Sequence, residues 1–286
     1  MWKSLSDRKK ILGNASIYQL VLISLAFILL IGAMSFVLPP AVDWHKAFRP
    51  AARELVSGRS PYNVDGYFNA PWALLPLIPL ALLPENVGRA IAFVVSLAAL
   101  TFTAHRLGAR PLAIAVLLVS PPVMHGLLNG NIDWLAAIGF VLPPQIGLFF
   151  ITVKPQMGIA VGIFWMVEAY RKDGWREVMR VFGPITVAML LSFVLFGLWP
   201  LRFERELDLW WNASLWPTSI PVGLALLVSA VRKGKIEYAM GASPCLAPYV
   251  LLHSWVGALL AIVASLPEMV AAVIGLWILV VIRAFS

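Results

Sequence analysis

Between Lys10 and Asp43 the chain carries no charged side chain, and the stretch Ile17–Val37 is apolar almost throughout. A hydrocarbon core about 30 Å thick takes about 20 such residues to cross as a helix. Val87–Thr103, Val181–Leu198 and Met269–Ile282 approach that length to differing degrees, and further apolar runs are shorter and bounded by proline. In lipid every backbone N–H and C=O must find its partner inside the protein, so runs of this kind fold as helices. The expectation is an all-α fold: a polytopic membrane helix bundle of about 8–10 segments, with an interfacial amphipathic helix after the first. No polar stretch is long enough for a soluble domain, so residues 1–286 read as one membrane domain.

Composition points the same way. Hydrophobic residues make up 60% of the chain and charged residues 13%, too little polar surface for a soluble fold of this size. The first apolar run follows Lys3, Arg8, Lys9 and Lys10, as a signal peptide's would. It is too long for that role and no small-residue cleavage site follows, so it reads as a retained helix. Cys245 is the one cysteine, which excludes intrachain disulfides and cysteine-rich metal sites. Neither a tight histidine–carboxylate metal pattern nor a G-x-G-x-x-G or Walker A stretch occurs, so no metal and no nucleotide cofactor is expected. The net charge of +8 is read as basic loops meeting anionic lipid headgroups, with membrane lipids rather than nucleic acid as partners.

Basic clusters occur at the N-terminus, at His105–Arg110, at Arg171–Arg180 and at Arg232–Lys235. The positive-inside rule places them in the cytoplasm, with residues 1–16 as a cytoplasmic N-terminus. Val42–Gly66, Met124–Asn131, the vicinity of Lys154 and Pro200–Thr218 then lie outside. The outer loop at residues 42–66 is nevertheless rich in bases: Lys46, Arg49, Arg53 and Arg59. Arg49 and Arg53 share a helical face, with Ala47, Ala51, Leu55 and Val56 supplying apolar contacts. That spacing predicts an amphipathic helix lying at the outer interface, either as a lipid-headgroup anchor or as an anion site for a phosphate.

Four segments place polar groups at the outer ends of the apolar runs. They are Asp43 with His45; Ser120–Trp134, with His125, Asn129, Asn131 and Asp133; Ile151–Gly158, with Lys154 and Gln156; and Ser243–Trp255, with Tyr249 and His253. A lysine or aspartate at mid-helix costs roughly 2.5–3.5 kcal/mol on insertion scales, so such groups tend to face a polar cavity and act there. Lys154 is the clearest case. An apolar run precedes it and Pro155-Gln156 breaks the helix where it stands. The expectation is that Asp43, Asn131, Lys154 and Gln156 border one outward-opening cavity.

The order of these pieces resembles the GT-C superfamily of integral membrane glycosyltransferases. The likeness is closest to the bacterial branch related to the polyprenol-phosphate-mannose-dependent mannosyltransferases, glycosyltransferase family 87. An acidic residue after the first helix, here Asp43, is followed by "ELVSGRSPY" ending at Tyr62, a Pro-rich stretch closing in "PLALLP", "NGNID" at Asn129–Asp133, and Lys154-Pro155-Gln156. The likeness spans roughly residues 17 to 180 and, more loosely, "SPCLAPY". The chain is shorter than most members, which suggests that one or more C-terminal helices are absent.

This resemblance implies a multi-pass enzyme of a bacterial plasma membrane, with its active site facing outside. It would transfer a hexose such as mannose from a polyprenyl-phosphate donor to an extracytoplasmic glycan or a lipid acceptor. It would need no cofactor, because the lipid-phosphate sugar is itself the substrate. Asp43 would be the general base. His45, Arg49, Arg53, Tyr62, His125, Asn131, Asp133, Lys154, Gln156 and His253 are the candidates for holding substrate and phosphate. Two other functions fit the same residues: a transporter or flippase of a lipid-linked saccharide, and a non-catalytic membrane subunit derived from the enzyme fold. No internal repeat is visible, which counts against most secondary transporters.

Overall fold

The computed structural model describes residues 17–202 and 212–285. The N-terminal basic cluster and residues 203–211 of the expected outer loop Pro200–Thr218 lie outside the described residues. Those residues form helices α1 (Ile17–Val37), α2 (Arg49–Val56), α3 (Ile78–Ala81), α4 (Glu85–Arg106), α5 (Pro111–Leu118), α6 (Pro121–Asn129) and α7 (Asp133–Gly139). There follow α8 (Pro144–Ile151), α9 (Pro155–Phe196), α10 (Ile220–Lys233), α11 (Ile236–Cys245), α12 (Val256–Ile262) and α13 (Leu266–Phe285). No strand occurs among them, only an isolated bridge between Asn212 and Leu251. The all-α expectation holds.

Proline sets many of the boundaries. Pro111, Pro121, Pro144 and Pro155 each open a helix, where the missing N–H is no loss and the fixed φ is already helical. Helix α9 would be twice the length of one crossing if straight. It breaks at Asp173 and Gly174, where Gly174 takes φ +57° and ψ −147°, a conformation open to glycine. The break leaves two arms, each of about 20 residues and so long enough for one crossing.

Among the described residues three helices are long and apolar enough to cross a membrane, α4, α9 and α13, and the bent pair α5–α6, turning by 60°, makes up to four. That number counts the two arms of α9 as one helix and leaves out α1, which is 21 residues long. Helices α7, α8, α10, α11 and α12 have 7, 8, 14, 10 and 7 residues. At 1.5 Å per residue, each is too short to span about 30 Å alone. Burial separates the long helices. In α4 56% of the apolar window is inside the protein, against 22% in α9 and 11% in α13.

Contacts order the bundle along its length. The Arg89 guanidinium at the start of α4 donates to the Leu38 carbonyl just past α1 (3.0 Å), so α1 ends where α4 begins. At the far end of α4, Gly108 approaches Ala264, between α12 and α13. Arg171, beside the elbow of α9, donates to the Val231 carbonyl near the end of α10 (2.6 Å). The three described basic clusters therefore lie at the end of the bundle opposite Asp43.

The stretch after α1 is helical as expected, but it docks inward. A π-turn covers Trp44–Phe48 and passes into α2. Trp44, Ala47, Phe48, Ala51 and Ala52 are all buried, while Val56 is exposed. Its apolar face belongs to the core.

Candidate functional site

Three chain breaks meet at the Asp43 end of the bundle. The first follows α6, which closes in a Schellman turn. The Asn131 N–H bonds the Gly126 carbonyl (2.9 Å) and the Gly130 N–H the Leu127 carbonyl (3.3 Å). Gly130 sits at φ +69°, and a Cβ there would stand 2.7 Å from the Trp44 Cβ. Only glycine lets the α6–α7 turn come this close to the π-turn that carries Asp43. The second break is at Lys154, where Pro155 forces the preceding residue out of helical geometry (φ −133°, ψ 80°). The third is the 3-10 turn Leu252–Trp255, which holds His253 and Ser254.

Side chains from these breaks form one network. Asn131 Oδ1 accepts from the Ile132 N–H (2.7 Å), which turns its amide nitrogen toward Asp43 Oδ2 (2.7 Å) and His253 Nε2 (3.1 Å). An amide nitrogen only donates. His253 Nε2 is therefore an acceptor, the ring proton sits on Nδ1, and Nδ1–H faces Asp133 Oδ2. Ser254 Oγ donates to Asp133 Oδ1 (3.2 Å) and accepts from Gln156 Nε2 (3.3 Å). Lys154 Nζ lies 3.6 Å from Asp133 Oδ1. His125 is stacked on His253, with centroids 5.6 Å apart and planes 12° from parallel, and bonds Asn129 (3.1 Å).

The two carboxylates differ in kind. Asp133 and Lys154 are both buried, each about 5% exposed, and each is the other's ionic partner. A buried charge left alone would cost several kcal/mol, so the pair is mutually obligatory. Asp43 is only half-buried, accepts one bond from a neutral amide, and has no cation in ion-pair reach among the described residues. Its lone pairs remain available to a proton.

The network unites Asp43, His125, Asn131, Asp133, Lys154, Gln156 and His253, drawn from four separate parts of the chain. Other sequence candidates are engaged elsewhere. His45 Nδ1 contacts Glu85 Oε1 (2.5 Å) and Arg49 Nη1 lies 3.5 Å from Glu85 Oε2, so Glu85 takes up both. Arg53 is exposed, with no ion pair among the described residues. Arg59 grips Glu54 with two bonds of 2.7 Å and holds that carboxyl below the usual carboxylate range. Tyr62 stacks on Trp199 (5.3 Å, 7°) and donates to the Asn69 carbonyl (3.0 Å), so it shapes the loop beside the site.

Sequence reasoning passed over Ser254, Glu85 and Asn69. A serine in an apolar run carries no insertion penalty large enough to be noticed, although it adjoins His253. Glu85 had a signal: it is the one carboxylate between Asp65 and Asp133, downstream of a loop crowded with bases. Asn69 donates to the Val153 carbonyl (2.8 Å) and ties the outer loop to the Lys154 break. No protein-family model, curated protein or solved structure matches the chain.

Proposed function

We propose that the chain is a multi-pass membrane enzyme that transfers a hexose from a polyprenyl-phosphate donor, with Asp43 as general base. The carrying observation is the contrast between the two carboxylates: Asp133 is neutralised by Lys154, whereas Asp43 is held in place by an amide and meets no cation among the described residues. Displacement at an anomeric carbon needs a base on the acceptor hydroxyl. It needs no protein nucleophile when configuration inverts. In this reading Asp43 removes the acceptor proton as the new glycosidic bond forms, and the bond to the lipid phosphate breaks with its electron pair. Asn131 aims the carboxylate, and His253, Asp133 and Lys154 hold Asn131.

Lys154 is then a support for the base, not a ligand of the departing phosphate, because its charge faces Asp133. Lys46, exposed and one turn beyond Asp43, is better placed to meet an anion there. The exposed apolar faces of α9 and α13 suit contact with lipid. The basic clusters at the opposite end support an orientation with the Asp43 end outside.

The test is transfer of labelled sugar in proteoliposomes from a panel of polyprenyl-phosphate hexoses, mannose first. Transfer from at least one donor supports the proposal. Binding without transfer across the panel would favour a carrier or a non-catalytic subunit.

A further inference from the structure

At the end of the bundle opposite Asp43, a cleft of about 760 Å³ opens between the α7–α8 turn and the elbow of α9. Its inner wall is apolar, made by Trp165, Ala169 and Val181, with Pro143 and Pro144 nearer its mouth, and its charged lining is Glu168, Arg171, Lys172, Glu177 and Arg180. That volume lies within the roughly 300–1,000 Å³ typical of small-ligand sites. Three cations there meet two carboxylates. Glu177 is buried and is shared by Lys172 (2.8 Å) and Arg180 (3.3 Å), whose side chains are about two-thirds exposed. One carboxylate between two cations leaves a positive charge and free donors turned outward.

Large apolar side chains stand in the same turn. Trp175 and Met179 are each 68% exposed, and Tyr170 meets Trp175 edge-on at 5.6 Å. The elbow joins two arms each able to cross a bilayer, so it lies at a membrane surface, where tryptophan and basic residues are at home together.

We infer that this cleft binds the phosphate headgroup of an anionic glycerophospholipid, with Lys172 and Arg180 on the phosphate and the glycerol and upper chains against Trp165 and Val181. The inference rests on the membrane reading above and is independent of the transferase reading. Charge complementarity selects an anionic lipid, and the apolar wall favours a lipid over a free phosphate ester.

Native mass spectrometry of the full chain in detergent, with phosphatidylglycerol and phosphatidylcholine offered together, reads the site directly. The wild type should retain phosphatidylglycerol about tenfold more, as expected for two charge-assisted contacts. Lys172→Gln/Arg180→Gln should lose that preference, and so should the same variant with Glu177→Gln added, in which no buried carboxylate is left unpaired. Equal retention of both lipids by the wild type, or an unchanged preference in the double variant, overturns the inference. If glycerol phosphate or inorganic phosphate displaces phosphatidylglycerol fully, the site is for a free anion and the lipid assignment fails. Recovery of the protein in the aqueous phase without detergent would instead contradict the membrane reading itself.

Discussion

Asn131 places its amide nitrogen 2.7 Å from the Asp43 carboxylate across 88 positions of chain, and the same nitrogen lies 3.1 Å from His253. The amide's only acceptor is occupied by the Ile132 N–H, so this orientation is imposed from outside the site. Asn131→Ala should therefore leave Asp43 present but unaimed. A hydrogen bond to a charged group is worth about 1.5–3 kcal/mol, so kcat should fall roughly tenfold to a hundredfold with KM little changed. Steady-state transfer kinetics check this.

Lys154→Met leaves Asp133 as a buried charge without its cation. Removing one member of a buried pair costs about 3–5 kcal/mol. Thermal unfolding in detergent should show that loss, and Lys154→Met/Asp133→Leu should recover part of it. Simple additivity of the two single substitutions would show that the pair does not couple.

Gly130→Ala forces a Cβ toward the Trp44 Cβ at a residue that needs positive φ. Overpacking of this kind costs about 1–3 kcal/mol. Gly162 provides the control: it lies within α9, and a Cβ added there would meet nothing within 4 Å, so Gly162→Ala should be neutral or slightly stabilising. Melting temperatures of the two variants compare the effects.

The bundle's polarity gives a topological prediction. Ser60 lies on the Asp43 side and Asp173 at the elbow, so cysteines placed there should react with an impermeant maleimide from opposite faces of the membrane. Cys245 is buried, and a Cys245→Ser background removes any residual signal. Labelling of both positions from one face contradicts the arrangement.

Much of the site is legible in the chain itself. Pro155 announces the break at Lys154, Gly130 announces the turn at Asn131, and Asp43 stands after the longest uncharged stretch. Partnership is not legible. Nothing in "NGNID" says that Asp133 meets Lys154, because that ion pair depends on the short helices α7 and α8 returning the chain on itself. The same holds for Glu85, which draws in His45 and Arg49 from a helix that resembles a simple membrane anchor. The number of full crossings is hard to read from sequence for a related reason. Apolar runs bounded by proline look like spans in one dimension, whereas many fold as helices of only one to four turns inside the bundle.

The most direct measurement compares Asp43→Asn with wild type for sugar transfer and for donor binding in the same proteoliposomes. The amide keeps the shape of the carboxylate and cannot accept the acceptor's proton. General-base catalysis contributes about 10²–10⁴-fold, so transfer should fall by that factor while donor binding and the melting temperature stay close to wild type. Transfer at the wild-type rate by Asp43→Asn would contradict the assignment of Asp43 as the base.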